Sequence, residues 1–313
     1  MRWQEEPGFS ERLSMRIHHL NTGTMCPIGQ RLVNGTGSIF RRARMVCHCL
    51  LVETHDGLAL VDTGIGLGDI ADPPRLGRRW LRQTTPRLDP AETAVRQVSA
   101  LGYSVDDVRH ILLTHLDRDH AGGIGDFPKA RIHIHRREHD MAVSGRIAAP
   151  QGRYITAQWA HGPEWALHGD DGEAWFGFKG VRALGDRNPD ILMIPLPGHT
   201  SGHCGIAVRD KDRWLLHAGD AYFFHGQIEA RPRTPLVLGF FQRRVDMDRA
   251  TRLANQERLR ALKQRHDGEV TIFNSHDAVD YENCLCADHA ALRNEDGTRD
   301  NAPIVYKVRG EMR

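Results

Sequence analysis

The sequence predicts an α/β protein in which helices cover β-sheets. Two observations lead to this class: strand-like and helix-like runs alternate along the chain, and histidines and aspartates follow the ends of predicted strands. The chain has 313 residues, which is enough for one large domain with a sizeable core. Polar groups placed in this way should collect at one edge of the sheets.

The first half of the chain predicts four strands and one helix. The polar residues 1–14 are expected to form a flexible leader, and "SMRIHHLNTGTM" alternates in polarity like a first strand. "MVCHCLLVETHDGLALVDTGIG" predicts two apolar strands joined by a turn at "HDG". "DPAETAVRQVSALGY" has a polar start, an apolar stripe and a closing Gly102, which predict a helix, and "VRHILLTH" predicts a short buried strand.

The second half predicts further strands and two helices around an irregular segment. "ARIHIHRREHDMAVSG" predicts a strand that runs into a helix, whereas residues 140–190 lack a clear period. We therefore expect an insertion or a lid at 140–190, within a single domain that spans residues 15–313. A strand, a loop and a hairpin follow, then a long helix that ends at Gly268 and the strand "EVTIFNSHD".

The composition excludes several kinds of partner. Lys and Arg together number 42 against 40 Asp and Glu, so no basic excess favours a nucleic acid. No apolar run reaches the roughly 18 residues that a membrane-spanning helix needs, so no membrane partner is expected. The N-terminal residues lack the apolar core of a signal peptide, and two cysteine spacings are C-x-C, which is typical of a reduced, cytoplasmic protein.

Histidine is over-represented, with 19 residues, and four segments place histidine or aspartate just past a predicted strand. Imidazole nitrogens and carboxylate oxygens are ligands for zinc or iron, and these segments offer enough of them for two divalent ions. By itself "HLDRDH" is equally compatible with a solvated loop, but four such segments favour a metal centre. The candidate ligands are His115, Asp117, Asp119, His120, His199, Asp220 and His276.

These motifs resemble those of the metallo-β-lactamase superfamily. The family pattern H-x-H-x-D-H corresponds to "HLDRDH", and a histidine in "PGHTSGH", an aspartate in "GD" and a last histidine follow in the same order. "VDTG" around Asp62 and "HAGG" also match, so the resemblance covers roughly residues 15–280. It implies a four-layer αββα sandwich, in which two mixed β-sheets are flanked by helices.

The resemblance also implies a role for each candidate ligand. It indicates two divalent metal ions, with zinc as the first choice, and it makes Asp62 a carboxylate that orients the ligands from behind. The first ion would be held by His115, Asp117 and His199, and the second by Asp119, His120 and His276, with Asp220 bridging the two ions.

Asp117 departs from the family pattern, which has a histidine at this position. A charged oxygen ligand lowers the net positive charge of the centre, and it favours iron or manganese over zinc at the first site. The flavodiiron branch of the superfamily also has a carboxylate here. A non-hydrolytic relative that holds two irons or a single ion, with a redox or regulatory role, is therefore the alternative to a hydrolase.

Within the superfamily the sequence is most similar to the acyl-homoserine lactonases, through "PGHTSGHCGI", "GDAYF" and "NSHD". This implies that a metal-bridged hydroxide opens a lactone or cleaves a related carboxylic ester, with Asp119 as a catalytic residue that positions the hydroxide. Tyr222 is either a catalytic donor to the substrate carbonyl oxygen or a core aromatic residue. "RPRTPLVLGFF" is a candidate wall for an apolar substrate arm or a contact in a homodimer.

The remaining histidines and cysteines favour simpler interpretations. His133 and His135 alternate on one predicted strand, so packing within the sheet is a better interpretation than a further metal site. "CHC" at 47–49 has no second half-motif of a soft-metal site, so we expect ordinary buried or surface thiols there.

Overall fold

The computed structural model describes residues 15–146, 152–185 and 188–295. The leader expected at 1–14 and the last residues of the expected domain, 296–313, lie outside the described residues. The strands are β1 Ile17–Met25, β2 Met45–Thr54, β3 Gly57–Val61, β4 Val108–Leu112, β5 Arg131–His135, β6 Trp165–His168, β7 Glu173–Trp175, β8 Phe178–Ala183, β9 Ile191–Pro195, β10 Cys204–Asp210, β11 Arg213–His217 and β12 Val270–Phe273. The α-helices are α1 Gln30–Asn34, α2 Leu67–Ala71, α3 Arg78–Thr84, α4 Ala94–Ala100, α5 Arg136–Ala142, α6 Leu236–Val245, α7 Arg249–Arg265 and α8 Ala278–Glu295.

The strands form two six-stranded mixed sheets. The first sheet has the order β1-β2-β3-β4-β5-β6, with antiparallel pairs up to β3 and parallel pairs from β3 to β6. The second sheet has the order β12-β11-β10-β9-β8-β7, in which β11 and β12 are parallel and the other pairs are antiparallel. Among the helices of the described residues, none has the length and apolar character needed to cross a membrane.

Three apolar layers hold the sheets and helices together. Neighbouring residues of β2 face opposite sides of the first sheet, so Leu51 packs in the layer under Val98 of α4, while Leu50 packs in the layer between the sheets. Ile206 of β10 lies in that central layer, and Leu259 of α7 packs on the other face of the second sheet. The order of layers is helix, sheet, sheet, helix, which confirms the predicted αββα sandwich.

The segment at 140–190 differs from the predicted insertion. Its described residues supply β6 at the edge of the first sheet, and β7 and β8 at the edge of the second. These strands have three to six residues, which is too short for a period-2 pattern to stand out. This part of the segment therefore belongs to the sandwich, and residues 152–163 are the irregular part that precedes β6.

A row of imidazoles crosses the parallel part of the first sheet. Nδ1 of His110 on β4 lies 3.0 Å from Nε2 of His133 on β5, and Nδ1 of His133 lies 3.1 Å from Nε2 of His168 on β6. Nε2 of His110 lies 3.3 Å from the carboxylate of Asp56. Burial, with the charges of the two neighbouring histidines, lowers the pKa of His133 to about 3. These histidines therefore pack and hydrogen-bond within the sheet, in agreement with the interpretation of His133 above.

Candidate metal centre

The candidate ligands converge at one end of the sandwich. Each lies on a loop that follows the C-terminal end of a strand, and in the parallel parts of the sheets those ends share one edge. The loop after β4 carries His115, Asp117, Asp119 and His120, and the loops after β9, β11 and β12 carry His199, Asp220 and His276. The structure thus brings all seven predicted ligands together.

Asp119, His120, Asp220 and His276 form what we call the second set. Ligand atoms held at 2.0–2.1 Å by a tetrahedral ion lie about 3.3 Å from one another. Here His276 Nε2 lies 3.2 Å from Asp220 Oδ1 and 3.7 Å from Asp119 Oδ2, and His120 Nε2 lies 3.5 Å from Asp220 Oδ1. His120 Nε2 and Asp220 Oδ1 are buried, and none of their contacts with the described residues has the geometry of a hydrogen bond. Because a buried polar atom without a partner is costly, this set fits a divalent ion.

His115, Asp117 and His199, together with the other oxygen of Asp220, form the first set. Asp117 Oδ2 lies 3.4 Å from His115 Nε2 and 3.1 Å from His199 Nε2. Asp220 Oδ2 lies 3.4 Å from His199 Nε2 and 3.7 Å from His115 Nε2. Asp220 therefore offers one oxygen to each set, which is the placement that a bridging carboxylate needs.

Arg153 also reaches the first set, which the sequence did not predict. Its Nε lies 2.7 Å from Asp117 Oδ1, and its Nη2 lies 2.7 Å from Asp117 Oδ2 and 2.8 Å from His199 Nε2. Burial by itself raises the pKa of Asp117, but the charge of Arg153 and hydrogen bonds from two histidines outweigh burial and hold that pKa well below its ordinary value. Arg153 stands in the irregular part of 140–190, where no motif signals a site.

Asp62 supports the second set from behind. Its Oδ1 accepts a hydrogen bond of 2.8 Å from the Thr114 backbone N–H, and its Oδ2 accepts bonds from Thr114 Oγ1 at 2.8 Å and His120 Nδ1 at 2.9 Å. Burial raises the pKa of Asp62, but the charge and hydrogen bond of His120 outweigh burial and hold this pKa below its ordinary value. The carboxyl therefore stays ionised. A proton fixed on His120 Nδ1 leaves Nε2 with a lone pair that points at the second set.

The charges of the second set depend on one another. Burial raises the pKa of Asp220, but the charges of His276 and His120 outweigh it and hold the pKa well below its ordinary value. Burial lowers the pKa of His120, but the charges of Asp220 and Asp62 raise it well above its ordinary value. Without an ion, His120 is therefore protonated beside two carboxylates. An ion that takes its Nε2 must displace that proton, so uptake of the ion is favoured at higher pH.

Cys47 on β2 lies beside the second set. Its Sγ, a carboxylate oxygen of Asp119 and a ring nitrogen of His276 all lie within 4.8 Å of one another. Burial, followed by the charge of Asp119, raises the pKa of the Cys47 thiol well above its ordinary value. The first residue of "CHC" is thus a buried thiol at the floor of the site, and its spacing alone did not indicate this position.

Glu138 on α5 connects the loops that carry the first set. It is fully buried, and its Oε1 accepts hydrogen bonds from the Leu116 backbone N–H at 3.1 Å and from Tyr154 Oη at 3.0 Å. Its Oε2 accepts a bond of 2.6 Å from Thr200 Oγ1 and one of 3.3 Å from the Gly202 backbone N–H. One carboxylate therefore holds the loop after β4, the loop after β9 and the residue next to Arg153 in place.

Tyr222 does not reach the centre. Its ring is fully buried in the apolar layer under α7, and its hydroxyl donates a hydrogen bond of 3.1 Å to Asp280 Oδ2. Burial and the charge of Asp280 raise the pKa of Tyr222 well above its ordinary value. The structure therefore places Tyr222 in the core, the second of the two interpretations above, and corrects its expected role as a donor to substrate.

A cleft of about 1350 Å³ opens onto the centre. Asp119 and His276 lie at its floor, and Trp80, Phe223 and Phe240 contribute to mostly apolar walls. The run "PLVLGFF" forms α6 and supplies one of these walls, as the sequence suggested. An apolar cleft with a few convergent polar groups is the usual form of a site for a small molecule.

Comparison with known proteins identifies relatives of this chain. The model of the metallo-beta-lactamase superfamily matches residues 42–276. The protein named probable metallo-hydrolase Rv2300c, of Mycobacterium tuberculosis, is 42% identical over 270 residues, which cover 86% of this chain and 82% of the relative. The N-acyl homoserine lactonase AttM of Rhizobium radiobacter is 27% identical over 84% of this chain and 93% of its own length.

Solved structures share the fold at lower identity. An N-acyl homoserine lactone hydrolase, with its product N-hexanoyl-L-homoserine bound at the catalytic metal centre, has a TM-score of 0.65 and 20% identity, and covers 87% of this chain and 97% of its own. The dizinc quorum-quenching lactonase AidC has a TM-score of 0.53 and 18% identity, over 85% of this chain and 89% of its own. At such identities the likeness concerns the fold.

Proposed function

The chain belongs to the metallo-beta-lactamase superfamily, and on this basis we propose that it is a metal-dependent hydrolase that opens a lactone or cleaves a related carboxylic ester. The observation that carries the proposal is the second set, whose buried ligand atoms His120 Nε2 and Asp220 Oδ1 make no contact with the described residues that has the geometry of a hydrogen bond. Asp119, Asp220 and His276 of this set line an apolar cleft, where a small substrate would meet them.

The residues of the second set have separate tasks in this proposal. A divalent ion bound there supplies positive charge, which polarises a carbonyl group and lowers the pKa of water. His276 keeps its Nε2 available for the ion, because its Nδ1 donates a hydrogen bond of 2.8 Å to the carbonyl oxygen of Val46. Asp119 and Asp220 both line the cleft, and the side chain of Asp119 is the more exposed of the two, at 12% against 4%. We assign Asp119 to orient the attacking water and to accept its proton.

The choice of a lactone or ester rests on the relatives and on the cleft. Several relatives are named as N-acyl homoserine lactonases, and one neighbouring structure holds the opened product N-hexanoyl-L-homoserine. Such a substrate combines a small polar ring with an apolar acyl chain. In the present structure, Phe240 and Phe241 of α6 offer an apolar wall beside the polar floor, which suits that combination.

We propose zinc as the ion, because the second set offers two imidazoles and two carboxylates and a structural neighbour is named as a dizinc lactonase. Iron or manganese is the alternative that Asp117 introduces. The buried, reduced thiols of Cys47 and Cys49 support the cytoplasm as the expected compartment. A homodimer through exposed residues of α6, such as Leu236 at 83% exposure, remains a prediction.

The test is turnover of a panel of N-acyl homoserine lactones, other lactones and aryl esters by the zinc-loaded protein, followed by proton release. We expect turnover of at least one lactone. Because His120 supplies a ligand atom, His120→Ala should lower kcat/KM by at least about 100-fold.

His133→Ala is the matched control, since it removes a buried imidazole from the row in the first sheet and leaves the centre intact. It should keep wild-type turnover. A zinc-loaded wild-type chain that hydrolyses none of the panel, or a His120→Ala variant as active as wild type, would refute the proposal.

A further inference from the structure

We propose that the guanidinium of Arg153 takes the place of the first metal ion, so that each chain binds one divalent ion, in the second set. The inference goes beyond the hydrolytic function, because it concerns how many ions the centre holds and what supplies the remaining positive charge. It rests on the contacts of Arg153 with Asp117 and His199.

Arg153 contacts the atoms that would coordinate a first ion. Both oxygens of Asp117 accept a guanidinium N–H at 2.7 Å, as in a two-point arginine–carboxylate pair. The same Nη2 also lies 2.8 Å from His199 Nε2, the nitrogen with which this imidazole would bind a first ion. Two of the three ligands specific to the first set are therefore already engaged.

The contact distances would force a first metal ion too close to the guanidinium of Arg153. Asp117 Oδ2 and His199 Nε2 are 3.1 Å apart, so an ion bound to both at about 2.05 Å lies within about 3.6 Å of Arg153 Nη2, on whichever side it sits. A divalent ion and a guanidinium this close repel each other strongly in a buried site. The second set has no such cation beside it: its ligand contacts among the described residues are to histidine and aspartate.

The arginine is built into the fold. Its side chain is 11% exposed, and its Nη1 donates a hydrogen bond of 2.6 Å to the carbonyl oxygen of Val245 at the end of α6. Arg118 Nη2 donates to the carbonyl oxygens of Gly152 at 2.6 Å and Arg153 at 3.0 Å, which fixes the backbone. A buried guanidinium held at this many points needs a carboxylate partner, because an unpaired charge there is costly.

This arrangement accounts for the aspartate at position 117. A histidine would offer one nitrogen, whereas the carboxylate matches both donors of the guanidinium at once. Asp117 and Arg153 thus form one unit, in which the arginine supplies a fixed positive charge next to the second set. In this interpretation the exchange of histidine for aspartate removes an ion from the centre and leaves a cation in its place.

The experiment counts ions, so it does not depend on turnover. Wild type, Arg153→Met and the double variant Asp117→His/Arg153→Met are saturated with zinc, desalted and analysed for zinc per chain, and cobalt titrations followed by visible absorbance give an independent count. We expect one ion per wild-type chain and two in both variants. The double variant covers the case in which Arg153→Met alone fails to fold because Asp117 is left unpaired.

Arg244→Met is the matched control, since Arg244 is an exposed arginine that lines the same cleft; it should bind one ion. Two ions in the wild-type chain, or one ion in a folded double variant, would overturn the proposal. Because lactone turnover plays no part in the count, a protein without hydrolytic activity could still confirm the single ion, and an active hydrolase could still refute it.

Discussion

The aspartate at position 117 determines which residue pairs with that position. The carboxylate there is only 17% exposed and bonds with both oxygens to Arg153, which stands 36 residues later in the chain. The spacing of "HLDRDH" reveals that the position differs from the family pattern, but it cannot reveal the partner. At the scale of single residues, therefore, the meaning of a substitution depends on a contact that only the fold brings about.

Asp62→Asn should weaken metal binding at the second set by about 10–100-fold. The amide oxygen can still accept from the Thr114 backbone N–H, but an NH₂ group would then face His120 Nδ1. His120 would then have to carry its proton on Nε2, and a protonated Nε2 has no lone pair with which to bind an ion. The left-handed φ of 56° at Asp62 suits asparagine equally well, so the backbone should not change.

Competition with a chromophoric chelator measures this affinity. Asp56→Asn is the control, since Asp56 also lies within hydrogen-bonding distance of a histidine nitrogen but stands at the other end of β3. Unchanged zinc affinity in Asp62→Asn would show that the carboxylate does not set the tautomer of His120.

The sequence points to the candidate ligands more readily than to the groups around them. The seven predicted ligands lie together because they share motifs whose order and spacing are readable in one dimension. Arg153 and Cys47 carry no such pattern: one stands in an irregular segment and the other in a strand with many buried neighbours. The catalytic role expected for Tyr222 rests on its distance from Asp220 along the chain, but its ring lies in the core.

Among the elements, α8 carries a carboxyl group with an unusual environment. Asp280 accepts hydrogen bonds from Tyr222 Oη at 3.1 Å and Asn274 Nδ2 at 3.0 Å. Burial, followed by the charge of Asp277, raises the pKa of Asp280 to about 7. The start of α8 therefore carries a proton at mildly acidic pH that an unfolded chain would release.

The difference in unfolding free energy between Asp280→Asn and wild type should favour the variant more at pH 8 than at pH 5. Since the folded pKa of Asp280 lies above its unfolded value, the contribution of Asp280 to wild-type stability falls as pH rises from about 4 to 7, and the ionisation penalty grows little above that range. Asparagine cannot ionise and escapes the penalty, so between pH 5 and pH 8 the difference in unfolding free energy between variant and wild type should move by roughly 2–3 kcal/mol in favour of the variant.

Urea denaturation at pH 5 and pH 8 measures this shift. Glu282→Gln, which removes an exposed carboxylate of the same helix, controls for the loss of one negative charge. If the difference between Asp280→Asn and wild type were the same at both pH values, Asp280 would have to be ionised in the folded protein throughout this range.

Elements with strong local patterns were predictable. The turn in "HDG" joins β2 and β3 as expected, and the helix predicted to end at Gly268 is α7, which ends at Arg265. The strands of 140–190 were missed, because edge strands of three to six residues are defined by their pairing with neighbours. Pairing across a sheet leaves little trace in a single short run of residues.

At the scale of the whole molecule, the order of elements and the resemblance together predicted the αββα sandwich, and the structure confirms it. The central apolar layer joins residues from both sheets, such as Val61 of β3 and Met193 of β9. The edges of each sheet and the path between the sheets could not be predicted, since they depend on contacts between distant parts of the chain.

Removal of the metal should lower the stability of the whole molecule. An ion that binds only the folded chain adds about 2.7 kcal/mol when its free concentration is 100 times Kd. For a chain of 313 residues the melting temperature should therefore fall by roughly 4 °C in excess chelator. Differential scanning calorimetry with zinc and with chelator measures the change, and His120→Ala should lose most of it. An identical melting temperature with and without chelator would contradict binding at the second set.

The second set takes ligands from both sheets, with Asp119 and His120 from the first and Asp220 and His276 from the second. The chain between Asp119 and His276 must fold and both sheets must dock before these atoms meet, and contacts between residues so distant in sequence form late in folding. The nascent chain consequently has no complete ligand set with which to select an ion. We therefore expect the choice of metal to be made after folding, from the ions that then surround the finished protein.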